Sequence, residues 1–363
     1  MKVLHVINCF ARSGGAEKLV LDLTLALKSL GVEVEILSLV EPSDENKDFI
    51  YIAQAADIRV YTLTKGNLYS VSNIIKLKKF FQFHSYDVVH THLFPAQYFC
   101  SFVKKKGMKL VFTEHSTDNR RRHVWYGRML DRWSYQMYDK VIVISDKVQD
   151  CLLQHVRGVN SVIIPNGIKL TDFYEAKPLS KAELLGTNCT DKQIVTMCAR
   201  FGEGKDYKTL FRALRYLSDN VHVVCVGDGV LRKEHEEYCK KEGLLERVHF
   251  LGLRKDVNRI FKTSDVLVLS SAYEGFSLSM LEAMAVGKPF VASRVSGIAD
   301  LVGQCVDLFS FGDEKDLASL ITRTLQDSVY REKQVRKALA FVADYDIKRV
   351  AEKHVALYKL LEK

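Results

Sequence analysis

No apolar run in this 363-residue chain approaches the roughly 18 residues that span a bilayer. The opening stretch MKVLHVINCFARSGG reaches Arg12 too soon to hold the apolar region of a signal peptide. Both absences lead to the expectation of a soluble, unexported, cytoplasmic protein. CxxC pairs are also missing. The eight cysteines, at 9, 100, 151, 189, 198, 225, 239 and 305, are scattered, several in strand-like stretches such as VHVVCVGDG. That is the usage of reduced structural thiols. KEHEEYCKK places Cys239 where HExxH needs its second histidine, so no metalloprotease motif is present. RRM, KH, zinc-finger and helix-turn-helix patterns are lacking, and nucleic acid is not an expected partner. There is no solenoid repeat and no low-complexity segment.

What is present suits two domains, each with its own core. Apolar residues make up 47% of the chain. The net charge of +9 is concentrated: residues 65–132 carry thirteen Lys/Arg against four Asp/Glu, an excess equal to that of the whole chain. A solvated basic surface explains this block; so does an anionic, phosphate-bearing substrate or an anionic membrane face contacting residues 76–132.

Short β-rich runs alternate with helical periods. KVLHVI, VEVEILSL, IRVYTL, YDVVHTH, KLVFTEH and KVIVIS read as strands, with GGAEKLVLDLTLALKSLG and VSNIIKLKKFFQFH among the helices between them. Pro165, Asn166, Gly167 and Pro178 interrupt the rhythm and mark a hinge or linker. Beyond it the pattern restarts with QIVTMCAR, VHVVCVGDG, VHFLG, DVLVLSS and PFVAS as strands. Two doubly wound α/β domains with parallel sheets are expected. We place the boundaries at 1–168 for an N-terminal domain, 169–190 for a linker, 191–340 for a C-terminal domain and 341–363 for a helix packing back towards the N-domain.

Several residues fall where such folds bind ligands, at the carboxyl ends of strands. Gly14 and Gly15 follow the first strand and precede a helix N-terminus, a turn suited to an anion and equally to plain chain reversal; GxGxxG is absent. Arg200 and Lys205 follow QIVTMC and are able to neutralise a diphosphate, although each also reads as a surface charge. Gly227, Asp228 and Gly229 form another glycine turn. Glu274 follows DVLVLSS, and Glu282 falls among Leu278, Leu281, Ala285 and Val286 on an apolar helix. A buried carboxylate needs a partner, and a ribose diol, a lysine or a backbone amide would each serve. Ser296 and Gly297 repeat the turn one strand later. In the first domain, His90 and His92 share a face at the end of VVHTH, and His115 follows VFTEH; no third metal ligand is apparent nearby, and no metal site is expected. The lone DxD, DYD at Asp344–Asp346, lies in a terminal helical segment and reads as surface charge.

Together, GGAE, HTHLFPA, PNGI, RFGEGKDYKTL, VGDG, FLG and above all EGFSLSMLEAMAVGKPFVAS, in this order, resemble the retaining GT-B glycosyltransferases of family four, also called group 1. The resemblance implies two Rossmann-like domains facing across a cleft. It implies a retaining transferase moving a hexose or N-acetylhexosamine from a nucleotide sugar, with a UDP-sugar favoured, to a saccharide or lipid-linked saccharide, without a cofactor or metal. Glu282 would hold the ribose, Arg200 and Lys205 the diphosphate, and Glu274 with Gly275, Phe276, Ser277 and Leu278 the sugar and phosphate. Leu253 and Arg254 would flank the base, Gly227 would line the donor site, and Gly14 and Gly15 would approach the diphosphate. His92, Arg200, Lys205 and Glu274 would be the catalytic group, and His92, His115, Arg120 and Arg121 would lie on the acceptor side. Departures are Ser277, where many relatives carry Gly, and Ser296–Asp300 in place of Gly-Gly-x-x-Glu. A GT-B nucleotide-sugar epimerase or hydrolase, a noncatalytic sugar-nucleotide-binding partner and a nicotinamide-dependent oxidoreductase are the alternatives. The resemblance also implies a place in surface polysaccharide or glycoconjugate assembly, and the basic block adds the expectation that the first domain docks peripherally on the inner face of the membrane.

Overall fold

Strands buried on both faces, such as the wholly buried Val88–His92 and Val221–Val226, need helices on either side, which is why their apolar runs alternate with amphipathic segments. The computed structural model describes residues 1–11, 14–116, 124–186 and 191–362, so Arg120 and Arg121 lie outside the described residues. It divides into two compact units, Met1–Ile168 with Ile347–Lys363, and Lys169–Asp346.

In the first unit, β1 (Lys2–Cys9), β2 (Glu33–Val40), β3 (Val60–Thr64), β4 (Val88–His92), β5 (Lys109–Glu114), β6 (Lys140–Val143) and β7 (Ser161–Ile163) form one parallel sheet in the order β3-β2-β1-β4-β5-β6-β7. In the second, β8 (Gln193–Cys198), β9 (Val221–Val226), β10 (Val248–Gly252), β11 (Val266–Leu269), β12 (Phe290–Ser293) and β13 (Asp307–Phe309) form another, in the order β10-β9-β8-β11-β12-β13. The two orders are the same doubly wound pattern used twice. In each, the winding reverses between the first and fourth strands, β1 and β4 or β8 and β11, and the carboxyl ends of those strands open the crevice where such sheets take ligands.

Two boundaries differ from the sequence expectation. Residues 169–186 are not a free linker. They carry the short helices Thr171–Tyr174 and Lys181–Leu185, and Leu179 and Leu184 pack with Ile194, Val224 and Ile260 in the core of the second unit. A capping box of Ser180 and Glu183 starts the second of these helices. The long C-terminal amphipathic segment is broken. Helix Ser328–Val342 stays in the second unit, a single 3-10 turn spans Ala343–Tyr345, and helix Ile347–Glu362 completes the first unit, packing against helix Gly15–Ser29. Among the described residues no helix is long and apolar enough to cross a membrane.

Candidate active site

At the switch point of the second unit the loops that follow β8 and β11 are zipped together. Asp206 N–H donates to the Ser270 carbonyl at 3.0 Å and Ala272 N–H to that of Gly204 at 2.8 Å, and Lys205 and Ser271 pair as an isolated antiparallel bridge. Asp206 also caps helix Tyr207–Ala213, accepting from Thr209 N–H at 3.1 Å. This stitching brings Lys205 onto Glu274. The ammonium donates to Glu274 Oε1 and, at 3.3 Å, to Ser271 Oγ, while the Ser271 hydroxyl donates to the same Oε1 at 2.8 Å. Lysine has three N–H donors. Two are used here and one remains for an anion.

Glycine turns set the other loops against this pair. Gly297, at φ +87°, lies so close to the Glu274 backbone that a Cβ would stand 2.0 Å from its carbonyl oxygen. Gly227, at φ +133°, approaches the Ala199 carbonyl similarly, at 2.2 Å. Phe201 N–H meets the Asp228 carbonyl at 3.0 Å. Arg200, between these contacts, is exposed and makes no side-chain hydrogen bond or ion pair among the described residues. Glu282 is on helix Leu278–Ala285, whose other buried residues are Met280, Leu281, Ala283, Met284 and Ala285, and is itself only 8% exposed. Burial pushes the Cys198 thiol up, with the charge of Glu282 adding to the rise and Lys205 opposing it. Both charges therefore bear on one sulfur at the end of β8. The start of that helix, at Ser277, has no side-chain cap, so N–H groups of its first turn are available to an acceptor.

The remaining expected donor residues are less uniform. Phe276 is buried with its ring 5.5 Å from that of Tyr345, so only its backbone is available to a ligand. Leu253 is 71% exposed just beyond β10, whereas Arg254 binds Asp256 in bidentate fashion, at 2.8 and 2.7 Å. Two surface grooves of this unit, one along Tyr216 and Arg323 and one along Lys288 and Arg336, are lined by none of these residues.

At the switch point of the first unit β1 leads to Gly14 and the start of helix Gly15–Ser29, and β4 ends on His92. The Glu17 carboxylate folds back over Gly14, with Oε2 2.6 Å from the place a Cβ would occupy. Its own anion thus stands at this helix N-terminus, where an incoming phosphate would compete with it. His92, 1% exposed, is held on both ring nitrogens: Nε2 lies 2.9 Å from His5 Nδ1 and Nδ1 lies 3.4 Å from His115 Nε2. His90 joins the group through strand pairing with His5, and its nitrogens sit 2.7 Å from the Tyr358 hydroxyl and 2.7 Å from that of Thr113. Burial lowers His5 to about 3, His115 and His354 to about 4, and His90 and His92 well below the ordinary value, so these imidazoles are neutral. His5 was not legible as a site residue. It reads as one polar residue in the apolar run KVLHVI, and only the β1–β4 pairing sets it opposite His90.

Neutral imidazoles can hold a transition metal, and one nitrogen each of His5, His90 and His92 lie within 4.8 Å of one another. The spacing argues otherwise. Two nitrogens on one tetrahedral zinc stand about 3.4 Å apart, while His5 and His92 are at 2.9 Å, a hydrogen-bond distance. Both nitrogens of His90 are already on hydroxyls.

Comparison with known proteins gives the family. Residues 187–340 match the glycosyl transferases group 1 and residues 13–172 match Glycosyltransferase Family 4. The chain belongs to the family 4 glycosyltransferases. It is 26% identical over 370 residues to a phosphatidyl-myo-inositol mannosyltransferase of Propionibacterium freudenreichii, covering 96% of this chain and 92% of the relative. It is 27% identical over 278 residues to the UDP-Gal:alpha-D-GlcNAc-diphosphoundecaprenol alpha-1,3-galactosyltransferase of Escherichia coli, covering 71% of each. The crystal structure of Anabaena HepE in complex with UDP and glucose superposes with a TM-score of 0.86 at 22% identity, over 99% of this chain and 100% of that one. As a family 4 glycosyltransferase the protein is a hexosyltransferase-type enzyme built on the GT-B pattern of two parallel-sheet units.

Proposed function

We propose that this glycosyltransferase transfers a hexose or N-acetylhexosamine from a UDP-sugar to a lipid-linked saccharide, with retention of anomeric configuration and without a divalent metal. The observation that carries the donor half is the assembly of Lys205, Ser271 and Glu274 beside Arg200 and the buried Glu282 at the β8–β11 switch point. In this reading Glu282 accepts the ribose hydroxyls. Lys205, with its third N–H, and Arg200 bind the diphosphate and stabilise the negative charge that grows on it as the glycosidic bond breaks. Glu274 Oε2, which bonds nothing among the described residues, accepts a sugar hydroxyl, and the uncapped turn at Ser277 adds backbone donors. Uridine is supported by the donor named for the Escherichia coli relative and by the UDP in the HepE crystal.

A lipid-linked acceptor is supported by the relatives' named substrates, which carry undecaprenyl diphosphate or phosphatidylinositol. It is supported too by the helix Trp125–Met137, where Trp125, Tyr126, Met129 and Leu130 are exposed beside Arg128 and Arg132. Aromatic and aliphatic side chains with adjacent cations suit the surface of an anionic membrane.

A panel of UDP-, GDP- and ADP-sugars screened by thermal shift, followed by anomer analysis of the product, tests the reading. Stabilisation by UDP-sugars and an α-linked product from an α-donor are expected. Release of free sugar without any need for acceptor would replace it with a hydrolase. Sedimentation with vesicles rich in anionic lipid at low salt, weakened in Trp125→Ala, tests the membrane contact, and no retention of the wild-type protein would remove it.

A further inference from the structure

His5, fully buried in the middle of β1, offers Nδ1 to His92 Nε2 at 2.9 Å, while its Nε2 is buried with no hydrogen-bond partner among the described residues. That asymmetry determines where the protons are. A neutral imidazole carries one N–H and one lone pair, and between His5 Nδ1 and His92 Nε2 one nitrogen must donate. If His92 donated, the proton of His5 would stand on Nε2, a buried N–H facing no acceptor, which folded proteins rarely tolerate. With the proton on Nδ1, only a lone pair is left bare. His5 therefore donates, His92 Nε2 accepts, and the proton of His92 is displaced to Nδ1. There it faces His115 Nε2 at 3.4 Å, the outer limit of a hydrogen bond.

We propose that His5 is a positioning residue that holds His92 in the Nδ1–H tautomer, so that His92 presents a hydrogen-bond donor, weakly held by His115, to a hydroxyl of the bound substrate. The neighbours support a fixed arrangement. His90 is anchored at both nitrogens by Tyr358 and Thr113, and His354 Nδ1 is bonded to the Val350 carbonyl at 2.8 Å, so neither ring competes for His92. The long contact to His115 is the one a substrate oxygen would replace. This inference rests on the reading that His92 meets substrate, but the tautomer itself does not.

The test is long-range proton–nitrogen correlation NMR on the full chain labelled with 15N-histidine, the His92 signals being assigned by their loss in His92→Ala. In the wild-type protein the His92 proton is expected on Nδ1. His5→Asn, whose side-chain amide can place an N–H near the former Nδ1, should retain that tautomer and most of the turnover. His5→Asp, whose carboxylate sets an acceptor rather than a donor opposite His92 Nε2, should draw the proton to Nε2 and lower kcat by about tenfold to a hundredfold, with UDP affinity unchanged. A wild-type His92 protonated on Nε2 overturns the proposal, as does an unchanged tautomer or an unchanged kcat in His5→Asp. Should His5→Asp not fold, loss of the Nδ1–H tautomer in His5→Asn overturns it instead. Wild-type transfer by His92→Ala would overturn the substrate reading, and leaves a signature distinct from the spectrum.

Discussion

Lys205 and Glu274, 69 positions apart in sequence, form an ion pair that ties the loop after β8 to the loop after β11. The ammonium keeps one donor for a ligand and the carboxylate keeps one oxygen. Each is thus pre-positioned by the other, and neither must be ordered at the moment of binding.

Lys205→Ala is expected to lower kcat by about a hundredfold to a thousandfold, the range for removing one group that stabilises developing negative charge. Glu274 keeps its Ser271 bond, so thermal stability should change little. Turnover near wild type in a folded variant would take Lys205 out of the mechanism.

Glu282→Ala should weaken UDP binding by about tenfold to a hundredfold, the worth of a hydrogen bond to a charged group. Calorimetric titration reads this directly. Unchanged affinity would mean that the carboxylate serves the fold alone.

Gly297→Ala tests the close approach to Glu274. The new Cβ would stand 2.0 Å from the Glu274 carbonyl oxygen at a positive φ, so both strain and displacement of the loop are expected, with a cost on the order of 1–3 kcal/mol and loss of transfer. Gly312→Ala has a similar φ of +80° and nothing within 4 Å. It should be the milder of the two by thermal unfolding and should leave transfer intact. Equal effects would show that the contact at Gly297 is unimportant.

Stability should fall in mild acid. Burial holds His5 at about 3 and His354 at about 4, against an unfolded value of 6.5. As pH drops, the unfolded chain takes up these protons first, so the contribution is complete above about pH 6.5 and is lost progressively down to about 4 for His354 and about 3 for His5. Within that window each ring contributes a slope of about 1.4 kcal/mol per pH unit. Thermal midpoints measured across the range should decline, less steeply in His354→Gln. A flat profile would contradict the burial of neutral histidines.

Chelation should leave the rate of transfer unchanged, because the positive charges at the donor site are side chains and the DYD at Asp344–Asp346 lies at a 3-10 turn rather than at the end of a strand. Dependence on added Mg²⁺ or Mn²⁺ would overturn this.

The β/α alternation made the two sheets legible, because a parallel strand covered on both faces must be apolar along its length, as VHVVCV is. The glycine turns and the charged residues beyond β8 and β11 were legible for the same reason, since a strand's end is visible where its apolar run stops. The pairing of Lys205 with Glu274 was not, because it depends on β11 lying beside β8, which no local pattern encodes. His5 was hidden likewise, its neighbour being chosen by the β1–β4 register. β13 has three residues, too few for periodicity to register. The C-terminal segment kept a helical period through Ala343–Tyr345, where one 3-10 turn lets the chain leave one unit and join the other.

Helix Ile347–Glu362 also has a consequence for biogenesis. It belongs to the first unit, and its Tyr358 anchors His90, yet a ribosome makes it after the whole of the second unit. The first unit therefore waits for helix Ile347–Glu362 to be translated before its histidine cluster can close, and a nascent chain arrested before Ile347 would expose the apolar flank of helix Gly15–Ser29 to chaperones.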